Sequence, residues 1–416
     1  MIVRSLDPPR LDDGDLYVVG GRVAAPGEGE RIEADGLLVV PGNVCAHTHL
    51  YSALARGMPY TLEPPRDFLQ ILQRVWWRLD RALDEESIRA SAVVGGMEAL
   101  LSGTTTLVDH HASPNAIEGS LDLIADALEE IGVRSVLCYE TSDRDGPERA
   151  KAGIEENRRF LAAKRRLARG LVGAHASFTL SDETLLACAD AGPLHIHAAE
   201  GLVDTRAVAR LSHLGVLDDR TLVAHGTHVD DDEIAVFRAS GATLAHNARS
   251  NMNNAVGRAR ALELGPRVAL GTDGIGSDMF EESHAAWFRL REDDLLAPGS
   301  WPLATLAEGT RFVGRLFAEP QLGTLEPGAP ADLVVLDYAA PAPLDGANLA
   351  GHWIFGLSSR HVRDVMVAGT WVVRDRRLVL VDQDELVAEA RRAAERLWSR
   401  LAEIPAHTFG LQGALR

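Results

Sequence analysis

The chain has 416 residues, 46% of them hydrophobic and 25% charged, which exceeds what one compact core usually holds, so a barrel-sized domain with a smaller companion is expected. Its formal net charge of −18 repels phosphate backbones and anionic lipid surfaces, which argues against nucleic-acid and membrane partners and leaves a small molecule as the expected partner. No apolar run approaches the roughly 18 residues that cross a bilayer, and the start MIVRSLDPPRLDDGDL lacks the basic-then-apolar order of an export signal, so a cytoplasmic protein is expected.

Residues 1 to about 35 hold short β-like stretches punctuated by glycine turns. From about Gly36 to Phe317 come eight β-rich runs: LLVVPGNVCAH, GTTTLVDH, VRSVLCYE, GLVGAHA, PLHIHAAE, TLVAHG, GATLAHN and RVALGTDG. Amphipathic helical segments separate them, among them Asp84–Leu101, Ser120–Ile131 and Pro147–Arg169. Eight βα repeats predict an α/β protein built on a closed, TIM-like (β/α)8 barrel rather than an open doubly wound sheet. From about residue 322 strands return in ADLVVLDY, VRDVMVAG and TWVVRDRRLVLV, before a helix from about Asp384 to Ala402. Neither flank is apolar enough for its own core. They are therefore expected to pair into one small β-sandwich domain, residues 1–40 and 322–416 with the final helix, beside a barrel of residues 41–321. Cys45, Cys138 and Cys188 sit in apolar or helical contexts without a CxxC pair and read as buried, reduced thiols.

In a (β/α)8 barrel the reactive groups lie at the C-terminal ends of the strands, so the residues closing the eight runs decide the chemistry. Run one ends in His47-Thr48-His49, run four in His175, run five in His197 with Glu200 beyond, run six in His225, run seven in His246-Asn247 and run eight in Asp273. Side chains at i and i+2 of a strand share a face, so His47 and His49 can reach one ion. Imidazole with carboxylate is a donor set for zinc or ferrous iron that keeps a position open for water. Each residue has a plainer reading: Asp273 in TDG as a turn former, His225 as a packed histidine, Trp76 and Trp77 as helix packing, Asp109 as a partner that orients a histidine. Taken together, such residues at the ends of runs one, five, six and eight point to a metal site.

The segments PGNVCAHTHLYSALARG, GAHASFT, HIHAAE, LVAHG and VALGTDG resemble the successive signatures of the amidohydrolase superfamily, in its heterocycle deaminase and chlorohydrolase branch. WWRLDRALDEES, DHHASP, HNARSNMNN and GTDGIGSDMFEE resemble the SsnA-type aminohydrolases within that branch. The resemblance implies metal ligation by His47, His49, His197 and Asp273, with catalytic roles for Glu200, His225 and Asp273. It also implies a substrate contact for Ser277 and a homodimer. In two places the chain departs from guanine-type deaminases: His246-Asn247 replaces their cysteine-proline pair, and Arg249 interrupts their small polar loop. Two-metal relatives bridge their ions with a modified lysine on strand four, but the only lysines here, Lys151 and Lys164, precede that strand, where His175 stands instead. One divalent ion is therefore expected, zinc first and ferrous iron as the alternative.

The expected reaction is metal-dependent hydrolytic deamination, by a metal-bound hydroxide, of a purine-, pterin- or pyrimidine-like heterocycle, as in purine catabolism. Asp273 would take the proton of the water, Glu200 would protonate a ring nitrogen, and His225 would hold the attacking oxygen. Substrate contacts are expected from His175, His111, Arg249, Asn251, Ser277 and the Trp76-Trp77 pair, the arginine fork matching carbonyl or carboxylate oxygens. The same groups could open a cyclic amide or ureide, since only the leaving group differs. A metal-bound scaffold without turnover would lack an acid-base group, and both Glu200 and His225 are present. There is no GxSxG elbow, and neither Gly27-x-Gly29 nor Gly274-x-Gly276 has the context of a dinucleotide site.

Overall fold

The eight β-runs form parallel strands buried on both faces, as a barrel wrapped by helices requires. A computed structural model describes residues 1–27 and 32–410; the parts of the expected terminal domain at 28–31 and 411–416, including Gly29 of the Gly27-x-Gly29 pair, lie outside the described residues. The first barrel strand is Asn43–Thr48, the second Thr104–His111 and the third Arg134–Tyr139. The fifth to eighth are Leu194–Ala198, Leu222–His225, Thr243–His246 and Val268–Leu270. The fourth is in two pieces: Ala168–Gly170 pairs with the third strand and Val172–Ala176 with the fifth. Two single parallel bridges complete the ring, Thr141 to Ala174 beside the fourth strand and Thr48 to Asp273 between the first and the eighth.

Local chemistry sets the helix ends. Asp84 accepts the backbone N–H of Ser87 at 2.9 Å while the Ser87 hydroxyl accepts the Asp84 N–H, a reciprocal cap that starts helix Glu85–Leu101. Helix Ser120–Ile131 stops at Gly132, whose φ of 85° suits a residue without a side chain. The helix expected over Pro147–Arg169 ends at Leu161 instead, because the residues from Ala168 onward belong to the fourth strand.

Both ends of the chain meet in a seven-stranded mixed sheet. Its order is Arg377–Leu378, Thr370–Arg374, Val362–Val367, Leu333–Leu336, Leu38–Pro41, Ile2–Leu6 and Pro9–Asp12. Alternate residues face opposite ways. Val3, Val40, Val334 and Val365 join the large core shared with the barrel, whereas Ile2, Val39, Val335 and Met366 pack with Val23 and Val18 of a hairpin that forms the second layer. The first β-run thus divides: Leu38–Pro41 serves this sheet and Asn43–Thr48 the barrel. Gly42 makes the turn where a Cβ would lie 2.3 Å from Thr105 Oγ1, so no side chain fits.

The last helix, Gln383–Glu403, lies against the barrel helices. Trp398 Nε1 donates to Leu54 O at 2.8 Å and Arg400 Nε to Ala82 O at 2.8 Å. Beyond it, His407 N donates to Gln73 O at 2.8 Å and Gln73 Nε2 to Phe409 O at 2.7 Å, tying the tail to the rim of the barrel mouth. No described helix is long and apolar enough to cross a membrane.

Candidate active site

The strand ends bring one donor set together. Asp273 Oδ1 lies 3.0 Å from His49 Nε2 and 3.6 Å from His47 Nε2, and His49 Nε2 lies 3.2 Å from His197 Nε2. Donor atoms of His47, His197, His225 and Asp273 all fall within 4.8 Å of one another. The second nitrogen of each ring is held from outside. His49 Nδ1 donates to His110 O at 2.6 Å and His197 Nδ1 to His175 O at 2.5 Å, which leaves both Nε2 lone pairs aimed inward. His47 Nδ1 is 2.9 Å from His195 Nε2, and His195 Nδ1 continues to Cys138 Sγ at 3.5 Å.

These residues fit a divalent ion. His47 Nε2 and His225 Nε2 are buried with no hydrogen-bond partner, although buried polar atoms are rarely left so. Burial holds His47 down to about 3, so its imidazole is neutral and free to ligate. Burial also depresses His49, but the Asp273 carboxylate outweighs it and lifts the ring to about 9. Asp273 therefore favours positive charge at this point, whether proton or metal ion. Histidines with one carboxylate make a set that suits zinc.

The acid-base candidates stand beside the cluster. Burial, then the Asp273 charge, push Glu200 well above the usual carboxylate range against a hydrogen bond with Asn254, a shift that favours its protonated form. Its Oε2 lies 3.4 Å from His225 Nε2. Asn251 Oδ1 accepts from His225 Nδ1 at 2.9 Å, closer than Asn247 Nδ2 at 3.4 Å, which leaves Nε2 as an acceptor toward the site. The Ser250 hydroxyl donates to Asp273 Oδ2. His225 and Asp273 have φ of 77° and 55°, a strained conformation for side-chain-bearing residues that turns each strand end into its loop.

A cavity opens above the cluster. Its wall includes His49, His197, Glu200 and Asp273, with His175, Trp76, Trp77, Phe68 and Phe178. Trp76 closes a π-helical turn, Leu72–Trp76, and packs on Gly274, where a Cβ would sit 2.9 Å from its ring. Four residues expected at the substrate are not on this wall. Arg249 is spent on Glu282 at 2.7 Å, Glu281 at 2.8 Å and Gly276 O at 2.7 Å. His111 bonds Ser113 at 2.9 Å, Ser277 sits beneath the strand ends with its carbonyl accepting from Thr104 at 2.7 Å, and Asn251 reaches the site only through His225. Lys151 and Lys164 are exposed outside the barrel mouth.

The sequence reading missed Glu140 and Tyr51, both on the wall. The rule that strand-closing residues carry the chemistry would have found Glu140, which ends VRSVLCYE. Burial pushes it up to about 7 against the pull of Arg144. Tyr51 carried no signal, because a tyrosine after a strand is usually packing.

Comparison with known proteins agrees with this geometry. The model of the amidohydrolase family matches residues 38–372. The chain is 31% identical over 387 residues to a 5′-deoxyadenosine deaminase of Methanopyrus kandleri, covering 87% of each chain. It is 32% identical over 421 residues to a 5-methylthioadenosine/S-adenosylhomocysteine deaminase of Haloarcula marismortui, covering 94% of each. A crystal structure of an adenosine deaminase from Xanthomonas campestris with bound zinc superposes with a TM-score of 0.79 at 25% identity, over 96% of this chain and 97% of that one.

Proposed function

Because the chain belongs to the amidohydrolase family, we propose that it removes the amine of an adenine-type nucleoside, releasing ammonia. It is a metal-dependent aminohydrolase that deaminates a nitrogen heterocycle. The observation that carries the reading is Glu200: a buried carboxyl 3.4 Å from His225, its protonated form favoured by burial, beside a cluster of imidazole donors with unpartnered nitrogens. His47, His49, His197 and Asp273 would hold one zinc ion, and no lysine stands near to bridge a second.

When bound, the ion supplies Lewis-acid activation of water at neutral pH. His225 Nε2, an acceptor because Asn251 fixes the proton on Nδ1, aligns the attacking water by accepting its hydrogen bond. Asp273 takes the water proton on its carboxylate, steadied by Ser250. Glu200 gives its proton to the ring nitrogen next to the amine-bearing carbon. As the carbon returns to planarity, Asp273 hands its proton to the departing amine and the new hydroxyl returns one to Glu200. Ammonia and the ring lactam leave, with both carboxyls restored.

The relatives act on 5′-deoxyadenosine, methylthioadenosine and adenosylhomocysteine, and nucleosides like the first two, without a charged 5′ substituent, head our candidate substrates. His246-Asn247 and the motifs shared with SsnA-type aminohydrolases support a substrate distinct from guanine. We further propose a cytoplasmic homodimer, which rests on the family resemblance, and a division into residues 1–40 with 322–416 and a barrel of 41–321, which follows the sheet pairing. The test is ammonia release by the zinc-loaded protein from a panel of adenine nucleosides, oxopurines, pterins and cyclic ureides. Ammonia from an adenine nucleoside is expected; a ring-opened acid without ammonia would overturn the deaminase reading in favour of cyclic amide hydrolysis.

A further inference from the structure

Among the described residues, neither arginine nor lysine lies on the cavity wall, whereas Glu140 does. The Glu140 side chain is only 3% exposed, with Oε1 3.3 Å from Arg144 Nη1 and 3.7 Å from His175 Nε2, and Oε2 3.8 Å from His110 Nε2. Among the described residues, no side chain donates a hydrogen bond to that carboxylate. Paired with Arg144 from behind, the carboxylate keeps accepting capacity toward the cavity that a donor on a bound molecule can fill.

Arg144 is not free to meet a ligand. Its guanidinium bonds Asp80, lies 3.2 Å from Asp145 Oδ2 and sits 5.3 Å from the centre of the Trp77 ring. Its charge is thus spent behind the wall, on three carboxylates and an aromatic face. The aromatic rings of Trp76, Trp77, Phe68 and Phe178 complete the wall, and such rings favour apolar or positively charged guests.

We infer that the cavity takes uncharged or cationic heterocycles and rejects those bearing an anionic substituent, with Glu140 accepting a hydrogen bond from a hydroxyl or amine of the substrate. This specificity rests on the deaminase reading. It separates this chain's substrate from nucleotides and carboxylate-bearing nucleosides, which would find no arginine or lysine on the described wall to pair with and a carboxylate to oppose them.

Three adenosines that differ only at the 5′ position test it: the amine, the alcohol and the carboxylate. Coulomb's law at about 8 Å with an effective dielectric of about 20 separates neutral from anionic by about 30-fold. Because Arg144 offsets part of the Glu140 charge, that figure is a ceiling, and we expect kcat/KM for the carboxylate several-fold to about 30-fold below the alcohol, and for the amine equal to or above it. Glu140→Gln, checked for folding by circular dichroism, is expected to bring the carboxylate to within a few-fold of the alcohol and to raise KM for the alcohol more than it lowers kcat. Equal turnover of all three by the wild-type protein overturns the inference, and so does an unchanged gap in a folded variant. The wild-type series decides the charge preference even if the variant does not fold. Calorimetric binding of the same compounds separates the two claims. Charge-ordered binding without ammonia removes the deaminase reading alone, ammonia without charge order removes this inference alone, and neither binding nor turnover removes both.

Discussion

Replacing His195 by leucine is expected to loosen the metal without touching any ligand. His195 is fully buried, and its Nε2 accepts from His47 Nδ1 at 2.9 Å. Burial, reinforced by His47 and the other neighbouring imidazoles, keeps His195 well below the usual histidine range, so it acts as a neutral acceptor throughout the working pH range. Leucine leaves the His47 N–H without a partner in a closed interior, at about 1–3 kcal/mol. Losing a group that orients a ligand typically lowers metal affinity 10–100-fold, or about 1.4–2.7 kcal/mol. Competition for zinc against a chelator of known affinity measures this directly, with turnover expressed per bound zinc. His195→Gln, which restores an amide oxygen, is expected to recover part of the affinity. A folded leucine variant that binds zinc as tightly as wild type would refute the relay, and a loss confined to turnover per bound zinc would assign His195 to the chemistry instead of the metal.

Glu200→Gln is expected to cut kcat by about 10²–10⁴ while zinc content by elemental analysis stays unchanged, because the residue moves a proton and holds no metal in our scheme. Chelation should abolish ammonia release and added zinc restore it. Asp204 supplies a pH signature. Burial, opposed by the Ala199 N–H at 3.0 Å and by Arg210, raises it to about 8, above the unfolded value of about 4. The folded state then binds its proton more tightly, so this group's contribution to stability falls as pH rises from about 4 to about 8, by at most about 1.4 kcal/mol per unit. Asp204→Asn should flatten that slope in urea titrations; an identical slope in both proteins would refute the assignment.

Most of the barrel was legible because each strand is short, apolar and closed by a polar residue, and because Asp84 and Gly132 announce helix ends through their own hydrogen bonding and backbone freedom. The division of LLVVPGNVCAH between two sheets was only partly so: the domain boundary expected at 40/41 falls beside the turn at Gly42, yet the run was read as a single barrel strand, since apolar runs carry no mark of which sheet they join. Likewise the helix assigned through Arg169 ran into a strand because the charged stretch NRRFLAAKRRLARG has high helix propensity throughout. At the site, strand periodicity put His47 and His49 on one face, and the spacing of the runs brought His197, His225 and Asp273 to the same mouth. Arg249 shows the limit of such reasoning. Residue type said that it would pair with oxygens, but only the fold shows that Glu281 and Glu282 supply them.

The seam of the barrel has a consequence in time. The first and last strands touch through one bridge, Thr48 to Asp273, between residues 225 positions apart in the chain, and donors of the cluster stand on both sides of it. During synthesis His47 and His49 emerge long before their carboxylate partner, so a ribosome-bound fragment offers two imidazoles and nothing to close on. A complete donor set must wait for the eighth strand to arrive, and an ion held there would join the beginning of the barrel to its end. A chain that stalls before residue 273 therefore lacks the carboxylate of the site.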